Sequence, residues 1–179
     1  MPVPPIPRPP QHRRAALLAA VVAAGPAMAD PALHADGFAH FCIETGAEIE
    51  AVEARAVAID GRRVSVADNL PGQVIGFAFG HATAGAFLLS AQTVVQGGKT
   101  DRQCVLMRPD ADPRMLEAEL RRRPGFGAPF NRIESGDNTY TLWNVDGLVP
   151  GGEVALIERT RRDNPSVTLS LQRITEAGG

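Results

Sequence analysis

The chain predicts an α+β fold: an antiparallel sheet with about three helices on one face, in a single disulfide-bonded domain. Three observations carry this. Apolar residues recur at helical spacing between residues 36 and 59, and again after Asp112. From Val64 onward, short apolar segments alternate with turns rich in Gly, Pro, Asn and Asp. Cys42 and Cys104 are the only two cysteines.

The first thirty residues read as an export signal. Arg8, His12, Arg13 and Arg14 precede the apolar run Ala15 to Ala24; Gly25-Pro26 breaks it, and Ala27-Met28-Ala29 supplies small residues for cleavage. The expected organisation is a cleavable signal over residues 1–29, cut between Ala29 and Asp30, and one mature domain over 30–179. The apolar run has about ten residues, against about twenty for a membrane-spanning helix, so no span is expected after signal removal. Arg13-Arg14 leaves both the general secretory and the twin-arginine routes open. The expected location is the periplasm or the exterior. Two cysteines in an exported chain imply a disulfide, whose loop is worth about 3–4 kcal/mol in chain entropy.

Losing residues 1–29 removes Arg8, Arg13 and Arg14 and no acid, which leaves 15 basic and 20 acidic side chains, a net of −5. That argues against nucleic acid as a partner, because phosphate binding needs a basic surface. It also gives no polybasic reason to sit on anionic lipid. Lys99 is the only lysine.

Element by element, Asp36 is the expected cap of a first helix carrying Phe38, Phe41, Cys42 and Thr45, stopped by Gly46. His34 is expected in a loose N-terminal segment before it. A second helix fits Ala47 to Ile59, with Ile49, Val52, Ala56 and Ile59 inward. Strands are expected near 63–66, 74–79, 86–95 and 103–108, with turns at Asn69 to Gly72, at 81–85 and at Gly97 to Thr100. Asp112-Pro113 starts a third helix whose inner face is Met115, Leu116 and Leu120. Arg121, Arg122 and Arg123 close it, where cations suit the helix dipole. Strands near 131–134, 139–145, 153–160 and 167–174 then form a meander, one face buried and one wet. No repeat is visible.

Phe38-x-x-x-Cys42-x-x-Thr45-Gly46, the acidic Ala-rich helix after it, Leu70-Pro71-Gly72, and Cys104-Val105-Leu106-Met107-Arg108 running into Asp110 form a pattern. It resembles small exported or lipid-anchored proteobacterial proteins with paired cysteines and no assigned function. The resemblance covers roughly residues 36–125. It implies a periplasmic disulfide-bonded domain and transfers no catalytic residue. This chain lacks the lipid-bearing cysteine of the anchored members.

Candidate chemistry is thin. A nucleophile–His–Asp set would have to draw on His81, Ser90 or Thr83, and Asp68 or Asp101, without a Gly-x-Ser-x-Gly elbow to present the nucleophile. His40 and Glu44 share one helix face, and His34 with Asp36 is the other pair; two ligands fall short of a metal site, and no metal or cofactor is expected. The weak binding candidates are the Arg-rich ends, Arg121, Arg122, Arg123 and Arg159, Arg161, Arg162, and the aromatics Phe126 and Phe130. Arg ends that meet in space would make a cationic patch for an acidic partner. The sequence thus favours a non-enzymatic module that binds a protein or envelope component. The rivals are a hydrolase with dispersed residues and a structural envelope protein.

Overall fold

The computed structural model describes residues 30–66, 70–81, 85–109, 111–160 and 166–176. The signal segment, Ala29, Thr83, Asp68, Asp110, Arg161 and Arg162 lie outside them, as does the side chain of His81.

The first helix begins earlier than its sequence pattern indicated. α1 spans Pro31–Phe38, and Asp30, not Asp36, caps it, its Oδ1 accepting from the Ala32 amide at 2.9 Å with Pro31 in the first turn. Asp30-Pro31 is the same start signal as Asp112-Pro113: a capping carboxylate, then a residue with φ preset and no amide to satisfy. His34 therefore lies inside a helix and is fully buried. A π-helical turn, Ala39–Ile43, follows, with the Glu44 amide bonding the Ala39 carbonyl at 3.0 Å. Phe41 and Cys42 are both buried, as their helical spacing with Phe38 and Thr45 indicates. Gly46 and Ala47, both with left-handed φ near 60°, then reverse the chain into α2, Ile49–Ala58. Ile49, Val52 and Ala56 are its buried face; Ile59 is exposed instead of joining them.

Eight strands form one antiparallel sheet: β1 Arg62–Arg63, β2 Gln73–His81, β3 Gly85–Gln96, β4 Lys99–Arg108, β5 Asn131–Ser135, β6 Asn138–Asn144, β7 Gly152–Arg159 and β8 Ser166–Glu176, in the spatial order β1-β2-β3-β4-β8-β7-β6-β5. β4 starts at Lys99 rather than Gln103, because Gly97 and Gly98 alone make the hairpin turn, both at positive φ. β1 stops at Arg63, and Val64 and Val66 lie across Gly76, where a Cβ would stand 3.2–3.3 Å from their methyls. α3, Pro113–Arg122, joins β4 to β5, with Asp112 Oδ1 accepting from the Arg114 and Met115 amides. Leu116 and Leu120 are buried; Met115, one position round the helix, is exposed.

The two halves share one order of elements, a helix followed by a four-strand meander: α2-β1-β2-β3-β4 and α3-β5-β6-β7-β8. Their last strands meet at the centre, with Cys104 opposite Leu171 and Leu106 opposite Leu169. Side chains alternate across the pleat, so the register sorts the sheet into faces. One row runs Phe77, Leu89, Leu106, Leu169, Leu156, Thr141, and the next Ile75, Ala91, Cys104, Leu171, Val154, Trp143; all are buried. On the opposite face the row Ala78, Leu88, Met107, Thr168, Ile157, Tyr140, Ile133 is half-buried or exposed. α1 packs against β4 and α3, α2 against β2 and β3, and α3 against β7. The Cys42–Cys104 disulfide ties the π-helical turn to β4, the last strand of the first half and one of the two at the centre of the sheet. Among the described residues, no helix is long and apolar enough to cross a membrane.

Candidate apolar binding groove

β2 and β3 place Phe79 directly opposite Phe87. The rings stack at 5.3 Å, and Phe41, turned inward beside Cys42, lies 5.2 Å from Phe79. These three rings line a groove of ≈ 470 Å³, with Leu33 and Gly37 of α1, Ile59 beyond α2, and Asp36 and His40 at the rim.

Phe87 is fixed from several sides. His34 meets it edge-on at 5.7 Å and holds the Leu106 carbonyl through Nε2 at 3.2 Å. The buried guanidinium of Arg108 lies 5.3 Å from the ring centre, a cation–π contact sheltered from water. Gly37 lets α1 approach β4 closely: a Cβ there would stand 3.3 Å from Leu106. The disulfide beside Phe41 holds the third ring. Such a preset apolar surface takes an apolar ligand group without first paying for its own ordering.

The rim is charged and paired. Asp36 bonds Arg123 at 2.7 Å; Arg123 reaches Glu119 at 3.2 Å, which Arg122 also meets at 2.6 Å. The Arg122 guanidinium, with burial opposing and Arg123 adding, holds the Glu119 carboxyl below the ordinary value of 4.5. A lowered native value means stabilisation that is complete above 4.5 and disappears as pH falls through the lowered value. Glu119→Gln is accordingly expected to flatten the acid limb of a stability–pH profile measured by urea titration. An unchanged acid limb would count against the pairing.

The sequence candidates fall out unevenly. Arg121 pairs with Glu117 at 2.7 Å, and Arg122 and Arg123 are engaged as above. These three residues stand at the C-terminal end of α3, whereas Pro113 and Arg114 at its other end share a small cleft with Glu158 of β7. Arg159, next along β7, pairs with Ser166 in the sheet. Phe126 is buried edge-on against Trp143 at 6.3 Å, while Phe130 stays 57% exposed. His40 lies 3.7 Å from Glu44, but Arg55 already holds that carboxylate at 2.6 Å. Among the described residues no three His, Cys, Asp or Glu side chains are grouped to hold a metal. A second cleft of ≈ 410 Å³ contains Asp146 and Glu153, but Asp146 closes its own loop, accepting from the Gly151 amide at 2.7 Å.

The aromatic floor was missed in the sequence, yet a signal was present. Phe79 and Phe87 are equidistant from residue 83, the midpoint of the 81–85 turn, so a symmetric hairpin makes them cross-strand partners. No family model, curated protein or solved structure matches the chain.

Proposed function

We propose that the protein is an exported, non-enzymatic binding module whose groove takes aliphatic or aromatic side chains from a segment of an envelope protein. The observation that carries this is the groove over Phe41, Phe79 and Phe87: half-buried Phe79 offers its ring to the groove, and buried Phe41 and Phe87 back it. Export is supported by the signal-like first 29 residues and by the Cys42–Cys104 disulfide, which persists in oxidising compartments. The same reading has all three helices on the sheet face that carries Leu89, Leu106 and Leu169. The packing of α1 on β4, α2 on β2 and β3, and α3 on β7 supports it.

A photo-crosslinking residue at His40 or Ile59, on the rim, tests it against one at Gln96, at the far hairpin. The expected result is a cross-link from the rim alone, to a segment bearing an apolar side chain at the contact. A synthetic peptide of that segment should bind wild type and lose at least about tenfold in affinity to Phe79→Asp, the scale of a central anchor. Emission from the sole tryptophan, buried Trp143, verifies that the variant folds. Equal cross-linking from Gln96, or full affinity in Phe79→Asp, would sink the proposal.

A further inference from the structure

The open edge of the sheet at β5 is self-complementary. All five of its residues, Asn131-Arg132-Ile133-Glu134-Ser135, are exposed, and among the described residues β5 pairs only with β6. The hydrogen-bonding phase of this edge follows from its neighbours. The Thr160 amide bonds the Asp137 carbonyl and the Val145 amide bonds the Gly152 carbonyl, so odd-numbered residues of β6 direct their backbone groups toward β7. Its even-numbered residues Asn138, Tyr140 and Leu142 then serve β5, opposite Ser135, Ile133 and Asn131. Arg132 and Glu134 are left with amides and carbonyls directed at the open edge, where the Arg132 amide donates to the Asn131 side-chain Oδ1 at 2.8 Å, an exposed contact that a second strand would replace.

We propose that β5 pairs antiparallel with β5 of a second copy of this chain, about a two-fold axis through Ile133. Residues that bond across such an edge must be those with outward backbone groups, and the register centred on Ile133 sets Arg132 opposite Glu134 of the second copy, twice. Each such pair forms two backbone hydrogen bonds, and opposite charges stand face to face. A register slipped by one residue would offer backbone groups already spent on β6. Among the described residues Glu134 has no ion-pair partner, and Arg132 has only Glu117, at 3.4 Å. Ile133, 44% exposed, ends the half-buried row through Tyr140 and Ile157, and its counterpart would extend that row into the second sheet. An isologous contact of this kind closes at two copies. A five-residue edge is a small interface, so the association is weak and shows at high protein concentration.

Sedimentation equilibrium from micromolar to millimolar protein is the test. The expected mass rises from one chain to two. Arg132→Glu and Glu134→Arg each set like charges opposite one another and should hold the protein as a monomer over that range. The double swap recreates both pairs and should restore the dimer, which neither a damaged fold nor a different surface would do. Ile133→Cys should link two chains on oxidation, since residues facing each other across a non-bonded pair stand about 4.5 Å apart at Cα. Ser135→Cys should not. A mass that stays at one chain throughout, or a dimer indifferent to both single swaps, would overturn the proposal.

Discussion

Replacing Cys42 or Cys104 by Ser is expected to destabilise the protein by about 2–5 kcal/mol. The bond spans 62 residues of sequence and encloses α2, β1, β2 and β3, so it removes much of the freedom of the unfolded chain. Both half-cystines are fully buried, with Cys104 in the core row between Ala91 and Leu171. A single Ser therefore also leaves a hydroxyl facing a thiol in apolar surroundings, an additional cost. Cys42→Ala/Cys104→Ala separates the two effects: the double variant keeps only the loss of the cross-link. Urea unfolding followed by Trp143 emission reads all of them. Wild-type midpoints in the single variants would show that the tie contributes nothing.

Trp143→Ala is expected to cost about 3–5 kcal/mol, the range for removing a large buried aromatic. Trp143 is the largest fully buried side chain; it ends the second core row beside Val154 and receives the edge of Phe126. Few neighbours are free to fill the hole, because Val154 and Leu171 are fixed in strands. Its indole N–H is buried without a hydrogen-bond partner among the described residues. Trp143→Phe removes that orphan donor while keeping a ring, and is expected to cost well under half as much. Circular dichroism must follow these two melts, since the reporter itself is replaced. Equal losses in the two variants would mean that the indole itself, not ring volume, carries the stability.

How far the fold was legible in the sequence follows from what each element depends on. β3, β6, β7 and β8 announced themselves by local alternation, and α3 by Asp112-Pro113 and Leu116/Leu120, because both signals lie within one element. The start of α1 is hidden because Asp30-Pro31 abuts the signal-like segment and reads as a cleavage point rather than a cap. His34 went with it: burial beside Phe87 and the Leu106 carbonyl depends on a strand more than fifty residues away. The pairing of β4 with β8 was likewise invisible, since each strand matches any apolar neighbour equally well. The groove was half-visible. Phe41 belongs to the 38/41/42/45 helical pattern that sets it inward, and it is buried; its meeting with Phe79 of β2 is what local spacing does not mark. Of the Arg pairs, Arg121–Glu117, Arg122–Glu119 and Arg123–Glu119 lie three or four residues apart and are legible in sequence, whereas Arg123–Asp36 is hidden by sequence distance.

The central seam also sets a timetable. Residues 30–108 hold both cysteines and the whole first meander, so this half has its own local contacts and its own covalent closure as soon as it emerges. What it lacks is a neighbour for the outer side of β4, and that neighbour is β8, the last strand of the described chain. Until β8 arrives, ten residues of the future central strand stand as a bare edge, among them Val105, Leu106 and Met107. An exposed apolar edge recruits other strands. Chains interrupted before residue 166 should therefore be aggregation-prone out of proportion to the few residues they lack, and the interval between the two halves is when a holding chaperone would matter most.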